Sequence, residues 1–222
     1  NTTVNFHEGH LYYKAYNEAT NVFISAPGTT YEHETDWYFN FEYQKEQERG
    51  QGSREDLFTP GKLYIDLEEG SKFGMLLSTD NPQGKDVFQM LTTEESRRKD
   101  LLKNVLPHRN LKRLALAGDQ FIVKRGDNLK SIIAGYHWFS DWGRDTMIAL
   151  PGLCLYTGRL DDARKILRAF AERVDQGMIP NRFPDDGKSP EYNTVDASLW
   201  FFVAAYRYFQ HTADCDFICE QL

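Results

Sequence analysis

The feature that most constrains the fold of this chain is a single change of hydrophobic period along it. Before about residue 80 the apolar residues alternate or gather in short runs between turn residues; after about Gly84 they recur at helical spacing. A period of about 2 turns one face of a strand into a core, whereas a period of about 3.6 turns one stripe of a helix there. The chain therefore reads as α+β and multidomain, with its boundary near residues 80–88.

The strand part is residues 1–83. "HLYYKAY" and "NVFISAPG" are short, aromatic and β-branched, and Pro27-Gly28 closes the second. "DWYFNFEY" alternates, with Trp37, Phe39 and Phe41 facing one way and Asn40 and Glu42 the other, which predicts a half-buried antiparallel strand. "KLYIDLEEGSKFGMLLST" predicts two strands joined around Glu69-Gly70. Several short strands with turn signals predict part of a β-sandwich. Glu42, Glu46, Glu48 and Glu55 form a charge run that reads as a solvated face.

Residues 84–108, with "DVFQMLTTEESRRKDLLKNVL", predict a charged helix or helix pair acting as a connector. From 109 to 222 the pattern predicts at least four helices. "NLKRLALAGDQFIVKR" repeats apolar residues at Leu111, Leu114, Ala115, Phe121 and Ile122, and "DTMIALPGLCLYTG" follows. "LDDARKILRAFAERVDQG" has Asp161 and Asp162 at its start, a stripe of Ile166, Leu167, Phe170, Ala171 and Val174, and Gly177 as its stop. "TVDASLWFFVAAYRYFQ" is apolar nearly all round, as a helix buried between neighbours must be.

A net charge of -7 argues against a nucleic-acid partner, which calls for a basic face. No apolar run approaches the roughly 20 residues of a membrane span. The opening "NTTVNFHEGH" has neither the basic nor the apolar segment of a signal peptide. Three cysteines without framework spacing predict reduced thiols and a cytoplasmic location. Cys215 and Cys219 are four apart but lack a second pair, so no metal is expected. Phosphate-binding glycine loops, zinc-ligand spacings and nucleophile elbows are likewise missing from the sequence, and no cofactor is expected.

Two clusters carry chemistry. The first is "GYHWFSDWGRDT", which sets Trp138 and Trp142 among Asp141, Arg144 and Asp145 at the mouth of an apolar helix. Sugars need this combination, because their C–H faces stack on aromatic rings while their hydroxyls take charged, bidentate partners. Gly143 permits close backbone approach, and Asp145 and Thr146 are candidate caps that would fix the arginine on a rigid element. The plainer alternative is an aspartate cap, an Arg–Asp surface pair and core tryptophans. The second cluster is "IPNRFPDDGKSPEYNTVDASLWF", in which a long loop containing Asp185-Asp186-Gly187 leads to Tyr192, Asn193 and Asp196. Here Asn193 or Thr194 would cap the next helix and Asp196 would favour its positive end. A helix N-terminus stabilises a carboxylate, whereas a general acid needs a raised pKa. Asp196 therefore suits hydroxyl binding better than proton donation, unless aromatic neighbours desolvate it.

Together "HWFSDWGRDTMIALPGLCLYTGR" and "IPNRFP…YNTVDASLWF" resemble the glucosidase region of glycogen debranching enzymes, the amylo-α-1,6-glucosidases. "FEYQKEQERGQGSREDLFTPG" is similar to the end of the β-sandwich found upstream in bacterial and archaeal members. The resemblance implies a β-sandwich followed by the first helices of an (α/α)6 barrel, a barrel shared with glucoamylases and trehalases. It implies hydrolysis of α-1,6 branch points in glycogen or limit dextrin, with inversion and without a cofactor. It implies that Trp138, Trp142, Arg144, Asp145, Asn181, Tyr192, Asn193 and Asp196 hold the glucan. Inversion needs an acid and a base ~6.5–9.5 Å apart; in such barrels the acid follows the fifth helix and the base lies near the last, which would place both beyond Leu222. Two other functions compete: an exo-glucosidase of glucoamylase type acting on other α-glucans, including maltooligosaccharides, and a non-catalytic glucan-binding module marked by rim aromatics such as Trp37 and Tyr38.

Overall fold

The structure, a computed structural model, describes residues 2–126, 128–136, 139–184 and 189–222. The chain divides into two compact units, residues 1–94 and 95–222.

In the first unit β1 (Thr3–His7), β2 (His10–Lys14) and β3 (Val22–Ser25) form consecutive antiparallel pairs. Glu8 and Gly9 join β1 to β2, both in the left-handed region at φ 48 and 78. A two-residue turn with both centres left-handed matches the twist of the strands it joins. A Cβ on Gly9 would lie 2.6 Å from the Ala26 carbonyl oxygen, so this corner needs glycine twice over. Next come β4 (Thr30–Glu32), β5 (Asp36–Glu42), the short α1 (Gln44–Glu48), β6 (Arg54–Thr59), β7 (Lys62–Tyr64) and β8 (Leu76–Ser78). The main sheet runs β1-β2-β3-β8; β4 pairs with β7, and β5 with β6.

Two strand expectations need correction. The segments 62–64 and 76–78 do not pair with each other across Glu69-Gly70 but with β4 and β3 respectively. Nor does β5 alternate throughout. Asn40 has φ 56, its amide donates to Asp56 Oδ1 at 2.9 Å, and the β5–β6 register shifts between Tyr38 and Phe41. A bulge of this kind re-aims the side chains after it. Trp37 is the one partly buried residue of β5, while Phe39 is exposed and nearly parallel to it at 6.2 Å.

α2 (Val87–Leu101) is a single helix that carries the division between the units. Asp86 Oδ1 caps it, accepting from the amides of Phe88 and Gln89 at 2.7 and 3.0 Å.

The second unit begins with α3 (Arg109–Asp119) and then departs from the helical expectation. β9 (Ile122–Arg125), β10 (Leu129–Gly135) and β11 (Phe139–Asp141) make an antiparallel sheet in the order β11-β10-β9. The apolar residues at 121–122 thus lie beyond the end of α3, where a helical stripe was expected. The β-branched run Ile132-Ile133 fits a strand better than a helix. α4 (Gly143–Leu150) runs directly into a π-helical turn, Pro151–Leu155. Proline lacks the N–H for the normal helical bond and its ring crowds the preceding turn, which accounts for the widening there.

α5 (Leu160–Ala171), α6 (Asp196–Thr212) and α7 (Cys215–Gln221) complete the unit. Met147, Leu150, Cys154, Ile166, Leu167, Phe170, Phe201, Tyr208 and Phe217 form its core with Ile132 of the sheet. Burial pushes the Cys154 thiol up to about 12. α5 buries Ala163, Ile166, Leu167 and Phe170 as its period requires, but the helix ends before Val174, which is exposed. α6 buries one stripe, Ala197, Phe201, Ala204 and Tyr208, and exposes Leu199, Phe202, Val203 and Tyr206, so the all-round burial expected for it is met on one side alone. Among the described residues no helix is long and apolar enough to cross a membrane.

Charges fasten the second unit beside its core. Arg159 sits between Asp119 at 2.6 Å and Asp162 at 2.7 Å. Arg97 reaches Asp119 at 2.6 Å, and Lys130 pairs with Asp162. Burial alone would raise both carboxyls; the donors from Arg97, Arg159 and Lys130 outweigh it and hold both below the ordinary range.

Candidate functional site

Both sequence clusters converge where α4 begins. β11 pairs with β10 through Ile133–Asp141 and Gly135–Phe139, and this hairpin delivers Trp142 to the start of α4. Trp142 forms a bridge with Arg182, whose guanidinium lies 5.8 Å from the indole ring centre. Arg182 in turn holds Glu191, side chain to side chain at 3.0 Å and backbone to backbone.

Gly143 is the point of closest approach. Its amide donates to the Asn181 carbonyl at 2.8 Å, and a Cβ there would lie 2.2 Å from the Pro180 carbonyl oxygen. The backbone that glycine admits is therefore that of residues 180–181. Asn181 is buried and ties the clusters together. Its Oδ1 accepts from the Arg144 amide at 3.4 Å and its Nδ2 donates to Asn193 Oδ1 at 2.8 Å. Ser198 of α6 fixes the same strip of chain by accepting from the Ile179 amide at 2.9 Å.

On this frame Arg144 Nη1 meets Asp196 Oδ2 at 3.3 Å, across 52 residues of sequence. Both side chains are about half exposed, 47% and 44%, so the pair is held and yet open to a ligand. The Thr194 hydroxyl first, then the Arg144 guanidinium and the Ala197 amide, hold the Asp196 carboxyl below the ordinary range against partial desolvation. Asp196 is the first residue of α6, where the helix dipole also favours its charge. Its environment suits an acceptor of hydroxyl hydrogen bonds.

The other expected site residues fall elsewhere. Asp145 occupies the first turn of α4 but lines a separate apolar cleft of about 470 Å3 with Phe121, Ile132 and Ile148. It does not cap α4, and Thr146 instead donates its buried hydroxyl to the Ile132 carbonyl at 3.0 Å. Neither Asn193 nor Thr194 caps α6: the N-cap position is Val195, without a side-chain bond. Tyr192 commits its hydroxyl to the Arg173 carbonyl at 2.8 Å. Trp138 and the Asp185-Asp186-Gly187 turn lie outside the described residues.

A support behind the site was not foreseen. Asp141 is buried and paired with Arg125 at 3.3 Å. The Arg125 guanidinium lies 4.6 Å from the centre of the Phe183 ring, and Arg173 lies 5.5 Å from the same centre. This clamp joins the residue before Trp142 to the segment after Asn181. Its members are too far apart in sequence for any local pattern to link them.

Two family models match the chain, one in each unit. Residues 1–74 match the family model described as glycogen debranching enzyme N terminal, and residues 116–222 match the one described as amylo-alpha-1,6-glucosidase. The glycogen debranching enzyme of Saccharomyces cerevisiae is 45% identical over 85 residues, a stretch that covers 36% of this chain and 5% of the yeast protein. The chain belongs to the glycogen debranching enzyme family.

Proposed function

We propose that this chain forms part of a glucosidase that hydrolyses α-1,6 branch points of glycogen or limit dextrin, releasing glucose with inversion. Its own contribution is to hold the sugar. The observation that carries this reading is the half-exposed Arg144–Asp196 pair beside Trp142, at the meeting point of the two clusters. A guanidinium and a carboxylate so placed supply donors and acceptors to adjacent glucose hydroxyls, and the indole offers a face to the apolar side of the ring. Asp196, held as a carboxylate, accepts from a hydroxyl, and the proton donor is a different carboxyl group. In this reading the first unit is part of a β-sandwich and α3 to α7 belong to an (α/α)6 barrel; antiparallel pairing in one unit and packed helices in the other support it. Three cysteines outside any disulfide fit a cytoplasmic location.

Two measurements test this. Titration calorimetry with maltotriose reads the holding function: Arg144→Ala should weaken binding by about tenfold or more, since a charged hydrogen-bond partner is lost. An unchanged affinity would remove Arg144 from the sugar-holding group. Glucose release from phosphorylase-limit dextrin by the same chain reads the chemistry. Turnover would put a proton donor within residues 1–222 and make Asp196 the leading candidate. Release from maltooligosaccharides in preference to limit dextrin would favour an exo-glucosidase of glucoamylase type.

A further inference from the structure

We propose that Asn181 is a positioning residue of the sugar site, acting through Arg144 and Asn193 without touching the sugar itself; this rests on the sugar-holding reading above. Asn181 is 3% exposed, and its four polar groups are all engaged. Its amide donates to the Glu191 carbonyl at 2.8 Å and its carbonyl accepts from Gly143 at 2.8 Å. Its side chain accepts from the Arg144 amide with one atom and donates to Asn193 with the other. Burial to 3% exposure leaves a ligand hydroxyl almost no approach to it.

The bond to Arg144 has a particular meaning. The first amides of a helix have no partner within it, and the residue preceding the helix ordinarily supplies one. In α4 the preceding residue is Trp142, which has no side-chain acceptor for this role, and it makes no cap. Asn181 supplies the acceptor from 37 residues away. The helix start is thereby capped from the second cluster, and the side chain of the capped residue is the one that meets Asp196. One side chain that accepts from Arg144 and donates to Asn193 must carry both functions, which asparagine has and aspartate lacks. Gly143 completes the device, because any larger residue would push Pro180 and Asn181 away.

A double-mutant cycle on the 222-residue chain tests this, with maltotriose as the probe, titration calorimetry as the readout and thermal unfolding as the check on folding. Asn181→Ala should weaken binding by about fivefold or more, and that loss should shrink to less than about twofold in an Arg144→Ala background, because the effect travels through Arg144. Asn181→Asp keeps the acceptor toward Arg144 and loses the donor toward Asn193, so it should bind more tightly than Asn181→Ala and more weakly than wild type, even if the alanine variant unfolds early. Amide exchange at Arg144 should speed up in Asn181→Ala and stay slow in Asn181→Asp, with or without sugar. A loss that persists undiminished without Arg144, or unchanged binding in Asn181→Ala, would overturn the proposal while leaving the glucan site standing. No binding by the wild-type chain would overturn both.

Discussion

A single missing methyl group sets how closely the two clusters can approach. Gly143 has no Cβ, and the Pro180 carbonyl occupies the space where one would stand. Gly143→Ala should cost about 1–3 kcal/mol through overpacking. It should also pull Asn181 away from the Arg144 amide, so urea unfolding should report lower stability and calorimetry weaker sugar binding in the same variant. The sequence set Arg144 in one cluster and Asn193 and Asp196 in the other, the resemblance added Asn181, and the structure links the four through hydrogen bonds that no local spacing announces. The sequence did not expose which way Asp145 turns. Adjacent helical residues point about 100° apart, so neighbours in the letters can serve different clefts, as Arg144 and Asp145 do.

Elements are fastened here by charge as well as by core packing. Arg159 joins the end of α3 to the start of α5, and Lys130 adds β10. Arg159→Ala should destabilise the second unit by about 1–3 kcal/mol, because it removes the partner shared by two part-buried carboxylates and leaves each with one, Arg97 or Lys130. Denaturant titration at neutral pH would read this. The pH dependence follows from the same bonds. Both Asp119 and Asp162 have lowered pKa values in the fold. Their contribution is present above the unfolded value of about 3.9 and is lost as pH falls through the lower folded values. Unfolding midpoints measured from pH 6 downward should therefore hold steady and then drop below about pH 4, and the drop should shrink in Arg159→Ala. None of this network was legible beforehand, since its partners lie as far as 40 residues apart. The helices themselves were legible where the stripe was strong, as in α5. The three strands of the second unit were not, because a short apolar run reads alike as strand or helix until its neighbours are known.

At the scale of the whole molecule, the change of period falls near residues 80–88 and the compact units part after Glu94, within one exposed helix. The uncovered side of α6 shapes how the chain behaves in solution. Leu199, Phe202, Val203 and Tyr206 are exposed together on one helix. Apolar patches of this kind drive association. Sedimentation should show self-association that rises with concentration, and Leu199→Gln with Phe202→Gln should reduce it without lowering the melting temperature, because the buried stripe of α6 is untouched. An unchanged sedimentation profile would show that the face is not adhesive.

The three cysteines give this molecule a built-in clock. Cys215 and Cys219 lie open at the surface, while Cys154 is sealed in the π-helical turn with its thiol pushed up to about 12. A thiol reagent should therefore mark two sites at once and the third only when the helices around it part. Mass spectrometry of the slow third label would time those openings, and maltotriose should lengthen the interval if the sugar is held where α4 and α6 meet.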